Sequence, residues 1–263
     1  MKKNKQKAGK RKKRRNVAAD IVLVVAIVVL IISSIQLVRA LLPYFEGGAE
    51  YDGIKELAIH NPDSSDEIMF QVDFKRLRQI NPDTVAWLRF EEPAIISYPV
   101  VQTTDNQRYL TQTFQANDNK LGAIFMHFEN RPNFTDRNTF IFGHNLKVGG
   151  EMFSQLKNYE DEEFYKKYPY FYIYAPDDTV KKYEIFSAGV VKSTAENYNI
   201  VYNTDEEYEQ YLELAKHSSS YDTGVKVSKD SRIVSLSTCT NVREDERFLV
   251  QGVLVEEKYI QKD

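Results

Sequence analysis

The sequence predicts a mainly β domain, a closed barrel or a sandwich of eight strands, behind a single membrane-spanning helix. Two observations predict it. Eight short runs rich in β-branched and aromatic residues follow one another from Thr84 to Tyr259, each bounded by Pro, Asn, Asp or Gly clusters. Ahead of them, twelve consecutive apolar residues, Ile21 to Ile32, lie behind a strongly basic start.

The basic start is "MKKNKQKAGKRKKRR", with ten Lys or Arg and no acid in fifteen residues. From Val17 to Val38 only Asp20, Ser33, Ser34 and Gln36 interrupt the apolar pattern, which matches the ~20 residues a hydrocarbon core needs. The positive-inside rule keeps residues 1–16 in the cytoplasm, makes 17–42 the anchor and places the rest outside. A cleaved signal peptide and a buried soluble helix are the competing readings. The first lacks a small-x-small cleavage pattern, because the segment runs on through "QLVRALLPYF".

Without its ten basic residues, the rest of the chain carries 25 basic against 38 acidic residues, a net charge of −13. That balance argues against nucleic-acid binding, which calls for a basic face. The tail itself reads as a topology determinant that contacts lipid headgroups. Cys239 is the single cysteine, so no intramolecular disulfide staples the exported part. The ~220 residues there are enough to bury a core without one.

In chain order, "YDGIKELAIHNPDSSDEIMF" reads as a helical piece and a polar loop. Asp73 then caps a short helix with Phe74, Leu77 and Ile80 on one face, stopped by Asn81-Pro82. The strand runs are "TVAWLRF", "IISYPVV", "GAIFMHF", "NTFIFGHN", "YFYIYAP", "KKYEIFSAGVVK", "RIVSLSTC" and "RFLVQGVLVEEKY". Two helical inserts interrupt them. Residues 151–168 place Met152, Phe153, Leu156 and Tyr159 near one face before Pro169. Residues 204–217 open with a Thr204-x-x-Glu207 capping box and repeat Tyr208, Tyr211, Leu212 and Ala215 at helical spacing.

The stretch "VSLSTCTNVREDERF", residues 234–248, concentrates the chemistry. A cysteine nucleophile needs a partner that favours thiolate, a proton donor for the leaving group and a group to hold the oxyanion. Four histidines are available. His60 falls in the loop before the barrel and His217 ends the acidic helix, so no strand fixes either. His127 lies in "AIFMHFE", where alternation does not decide its face. His144, in "FIFGHNLKVGG", stands where a strand gives way to a loop, a common place for a catalytic base. Arg247 opens the last strand, eight residues after Cys239, and its fixed fork of donors suits a developing oxyanion. Arg243, inside the acidic loop, is the alternative. Each residue alone has a plainer reading, as a small buried thiol, a structural histidine or a solvated ion-pair partner. One cysteine with scattered histidines offers no metal-ligand spacing, and no cofactor is expected.

Together these residues resemble a known family. "SLSTC", an Arg opening the next strand and "FGHN" upstream are similar to the sortase signature of a Thr-Leu-x-Thr-Cys strand, a later Arg and a strand-end His. "YPVVQTTDNQRYL", the stretch from Gly122 to Tyr165 and the helix at 204–217 resemble class B sortases in particular, over about residues 70 to 258. Ser235 stands where Thr is usual, and Asn241 where some members carry an acid.

The resemblance implies a closed eight-stranded sortase-type barrel with N-terminal helices and a helix between the penultimate strand pair. Residues 43–72 would form an extracellular stalk and helical segment, and 73–263 the catalytic domain. It implies a transpeptidase in which Cys239 attacks a sorting signal of the Asn-Pro-x-Thr type, His144 protonates the departing amine and Arg247 holds the substrate carbonyl. Asn106, Leu110, Ser237 and Thr238 fall at positions that meet the peptide. Partners would be surface proteins bearing sorting signals, with a peptidoglycan precursor or a pilin lysine as acceptor. Two other functions are compatible with the residues: an endopeptidase whose thioester is resolved by water, and a tethered binding module with an inert cysteine.

Overall fold

The computed structural model describes residues 17–60, 70–91, 93, 96–146 and 148–260. These divide into two units between Leu42 and Pro43.

The first helix, α1, runs from Val17 to Ala58. Its part before Pro43 is apolar around its whole circumference and exposed, with Val22 and Leu30 two-thirds accessible. The helix is long and apolar enough to cross a membrane. The helical piece read from "YDGIKELA" is present, as the last turns of α1. From Pro43 onward the pattern becomes one-sided: Gly47, Tyr51, Ile54 and Ala58, spaced at helical intervals, are buried. Gly47 is dictated by close approach, because a Cβ there would stand 2.4 Å from Cδ2 of Leu121.

Directly after α1, β1 (Ile59–His60) pairs antiparallel with β2 (Gln71–Val72), a ladder too short to leave a periodic trace in the sequence. His60 therefore sits in a strand, where the sequence suggested a loop, while most of the expected polar loop lies outside the described residues. In α2 (Phe74–Ile80) the Asp73 carboxylate accepts from the Arg76 amide at 2.9 Å, as expected of a cap. Phe74 and Leu77 are buried, but Ile80 is 38% exposed: the helix is too short for a third turn to reach the core.

All eight predicted runs are strands of one closed barrel. They are β3 (Thr84–Arg89), β4 (Ser97–Val101), β5 (Ile124–Met126), β6 (Asn138–Phe142), β7 (Tyr170–Tyr174), β8 (Thr179–Lys192), β9 (Ile233–Cys239) and β10 (Glu246–Tyr259). Their order around the barrel is β10-β8-β7-β3-β4-β5-β6-β9, and β9 returns to β10. Two pairs, β4 with β5 and β6 with β9, are parallel; the rest are antiparallel. Closure leaves no free sheet edge. The interior is filled by side chains, among them Leu88, Phe171, Ile173 and Tyr183, each worth ~1.5–3 kcal/mol of burial, while Trp87 and Tyr174 are buried on the opposite face of β3 and β7.

The segment 151–168 is two helical pieces instead of the single helix expected. A 3₁₀ stretch, Ser154–Glu160, buries Leu156 and Tyr159, and α3 (Glu162–Lys167) restarts behind Asp161. Asp161 is extended and its carboxylate accepts from the Glu163 amide, so a capping residue in mid-segment breaks the run. α4 (Asp205–His217), between β8 and β9, follows the sequence closely. Thr204 accepts from the Glu207 amide, and Tyr208, Tyr211, Leu212 and Ala215 are buried against Phe186, Ile233 and Val253. The reciprocal half of the box differs, since the Glu207 carboxylate takes the Asn203 amide at 2.6 Å.

Candidate active site

Strand alternation sets the faces of β9. Val234 and Leu236 point into the main core, whereas Ile233 packs under α4 and the Ser237 hydroxyl meets that of Tyr198 at 2.8 Å. Cys239 shares the parity of Ile233 and Ser237, so it belongs to the outer face, at the end of the strand, and is partly accessible.

Two strand pairings converge on it. Across β10, Arg247 is the direct antiparallel partner of Cys239, and Leu249 is that of Ser237. On the other side, parallel β6 registers Phe142 with Ser237. The pairing continues past the strand end, where Gly143 N donates to Ser237 O at 3.2 Å and Thr238 Oγ1 donates to Gly143 O at 2.8 Å. One step further, His144 stands level with Cys239. The candidates at 144, 239 and 247 thus fall on three neighbouring strand ends in one row.

The row is held by Asn145 and Tyr198, which sequence reasoning did not single out, and by Asn241, noted there only as standing in place of an acid. Asn145 Nδ2 donates to Cys239 O and Asn241 Nδ2 donates to Asn145 O, both at 2.8 Å, which sews the loop after β6 to the loop after β9. Asn241 is in the left-handed region at φ 62°, a conformation asparagine tolerates better than most residues. Tyr198 lies beside the row on the outer face. Burial pushes its phenol up to about 12, opposed by the Ser237 hydrogen bond and the Arg247 charge, so it stays protonated at neutral pH. Asn145 was visible in "FGHN" only as a neighbour of the histidine, and nothing local marks Tyr198.

Of the four histidines, only His144 joins this row. Its Nε2 lies 2.7 Å from Leu110 O. A carbonyl can only accept, which assigns a proton to Nε2 and leaves Nδ1 as the nitrogen available for exchange. Its backbone carbonyl accepts from Phe153 N at 3.0 Å. His127 follows β5, stacks on Phe128 at 5.0 Å and has its pKa lowered, chiefly by burial. His217 closes α4 with Nδ1 near Glu213 O, and His60 is exposed in β1.

Arg247 Nη1 donates to the carbonyls of Glu244 and Glu246, at 2.7 and 2.9 Å, which fixes the guanidinium through the backbone. Arg243, by contrast, is exposed and pairs with Glu246 at 3.5 Å. The expected peptide-contacting positions divide. Leu110 holds His144, Asn106 Oδ1 accepts from Phe128 N, Ser237 meets Tyr198, and Thr238 turns to Gly143 on the opposite face of β9 from Cys239.

The histidine wall requires one glycine. Gly122 has φ +62°, and a Cβ on it would lie 2.5 Å from Tyr109 O and 3.0 Å from both Leu110 O and His144 Cδ2. Gly122→Ala is expected to cost about 1–3 kcal/mol of stability and to displace the imidazole. Thermal unfolding and peptide cleavage check both effects, and an unchanged variant in both would contradict this packing.

Comparison with known proteins gives a consistent picture. The family model described as the Sortase domain matches residues 92–255. Sortase B of Listeria monocytogenes is 35% identical over 187 residues, 70% of this chain and 74% of that protein. Sortase B from Bacillus anthracis superposes with a TM-score of 0.71 at 29% identity, over 82% of this chain and 99% of that one. A Staphylococcus aureus sortase B-substrate complex gives 0.65 at 28% identity, over 70% and 84%.

Proposed function

This chain belongs to the sortase family, class B, and from that membership we propose that it is a membrane-anchored cysteine transpeptidase acting on protein sorting signals. The observation that carries the reading is the row of strand ends, with Arg247 in direct register with Cys239 and His144 level with it across the parallel pair.

In this mechanism the Cys239 thiolate attacks the carbonyl carbon of the threonine in an Asn-Pro-x-Thr or related motif. The carbonyl oxygen becomes an oxyanion, and the Arg247 guanidinium neutralises it. His144, cationic at this point, gives the proton on Nδ1 to the departing amine while Nε2 keeps its bond to Leu110. The C–N bond breaks and a thioester to Cys239 remains. An incoming amine, from a peptidoglycan precursor or a pilin lysine, then loses a proton to Nδ1 as it attacks the thioester. The amide product leaves and the thiolate returns. Asn106, Leu110 and Ser237 shape the walls along which the sorting peptide lies, and Thr238, on the opposite face of β9, steadies the strand end through Gly143.

The long apolar helix supports an anchor spanning residues 17–42, with the basic tail 1–16 in the cytoplasm and the barrel outside. Surface proteins bearing sorting signals are the substrates, and the site itself calls for no cofactor.

The test is incubation of the chain with a library of sorting peptides, followed by mass spectrometry of the intact protein. A covalent adduct on Cys239 that an added amine converts to an amide product supports the reading. Conversion to acid alone, with the amine ignored, would replace transpeptidation by hydrolysis, and no adduct with any peptide would leave a binding module.

A further inference from the structure

The part of α1 that follows Pro43 is tied to His144 through a single loop. Leu110, whose carbonyl receives Nε2–H of His144, and Gly122, which lies against the imidazole, sit at opposite ends of the segment 109–123. That segment closes on itself, with Ala123 N donating to Tyr109 O at 2.9 Å and Asn119 N to Thr111 O at 2.8 Å.

The helix grips this loop at three places. The Tyr51 hydroxyl donates to Gly122 O at 2.8 Å and accepts from Phe114 N at 3.1 Å. The Glu50 carboxylate accepts from Thr113 Oγ1, Gln115 N and Asn117 Nδ2, at 2.9, 2.9 and 3.0 Å. Asn119 Nδ2 donates to Pro43 O at 2.9 Å. None of these groups reaches a reacting atom. Each fixes the loop whose carbonyl fixes the imidazole.

We infer that Tyr51, with Glu50 as a second anchor, is a positioning residue for His144: the helix sets the loop, and the loop sets the orientation of the proton-transferring ring. The inference rests on the assignment of His144 as the proton donor. Tyr51 is 2% exposed, and its ring packs edge-on against Tyr98 at 5.4 Å, a contact that phenylalanine preserves. Tyr51→Phe therefore removes the hydroxyl alone. A ring held loosely loses productive orientation, which slows the proton transfer more than it weakens peptide binding.

The experiment compares Tyr51→Phe, Glu50→Gln and Tyr208→Phe in the full chain. Tyr208 serves as the control because its buried hydroxyl donates to Arg137 O and Ser231 O under α4 and touches nothing in the site. Tyr51→Phe is expected to lower kcat about tenfold with KM within about twofold, and to shift the nitrogen NMR signal of His144 Nε2. Glu50→Gln should move both readouts in the same direction, and it carries the test if Tyr51→Phe does not fold. Tyr208→Phe should lower the Tm and leave both unchanged. Unchanged kcat and Nε2 signal in the Tyr51 and Glu50 variants would overturn the inference, as would an equal kcat loss in Tyr208→Phe. Full activity in His144→Ala would instead sink the mechanism, and the Nε2 signal would still report whether Tyr51 orients the ring.

Discussion

Cys239→Ala eliminates thioester formation and lowers peptide turnover by at least ~10³-fold, while the barrel unfolds at an almost unchanged temperature. The two halves of this expectation have separate physical origins. Loss of turnover follows because no second thiol exists in the chain to replace the nucleophile. Preserved stability follows from position: Cys239 ends β9 on the outer face and is partly accessible, so the change creates no closed cavity in the core. The backbone contact that matters there, Asn145 Nδ2 to Cys239 O, does not involve the sulfur and survives in alanine. A methanethiosulfonate reagent should label the native protein at this one residue and stop turnover. Activity retained in the alanine variant would remove Cys239 from the mechanism altogether.

Arg247→Ala should lower kcat by ~10²–10³-fold, the usual cost of removing one oxyanion donor, whereas Arg243→Ala should stay within a few-fold of the parent. The contrast is geometric. Arg247 is paired in register with Cys239, and its guanidinium is braced by the carbonyls of Glu244 and Glu246. Arg243 is spent on an exposed ion pair with Glu246, an interaction worth little in water. Arg247→Lys keeps the charge but loses the planar fork, so it should recover only part of the rate. Steady-state cleavage of a sorting peptide decides among the three. Full activity in Arg247→Ala would transfer the role or abolish it.

The barrel was readable because each of its eight strands leaves a local mark, a β-rich run between breakers, and α4 leaves a capping threonine and a buried tyrosine stripe. What escaped reading depended on contacts distant in sequence or on competition within a segment. Asp161 could belong to a helix or cap one, and only packing against the barrel selects the cap. Ile80 fits the apolar stripe of α2, but the helix ends before that face meets the core. In the site, His144 and Cys239 were legible as candidates from their strand ends. The row they form with Arg247 needed the parallel β6/β9 register, and Tyr51, 93 positions from His144, gave no sign at all of a link to it.

With Cys239 as the proposed nucleophile, its place on the outside wall of a filled barrel has a consequence for the size of what it could process. A lumen or deep cavity would admit only molecules that fit through its mouth. A wall imposes no such limit: an extended stretch of polypeptide can lie along it while bulky folded bodies remain attached beyond either end. A second reactant fixed to an insoluble lattice can approach from the open side. The tightly packed interior then serves as a rigid backing plate, and the chemistry is scaled to polymers.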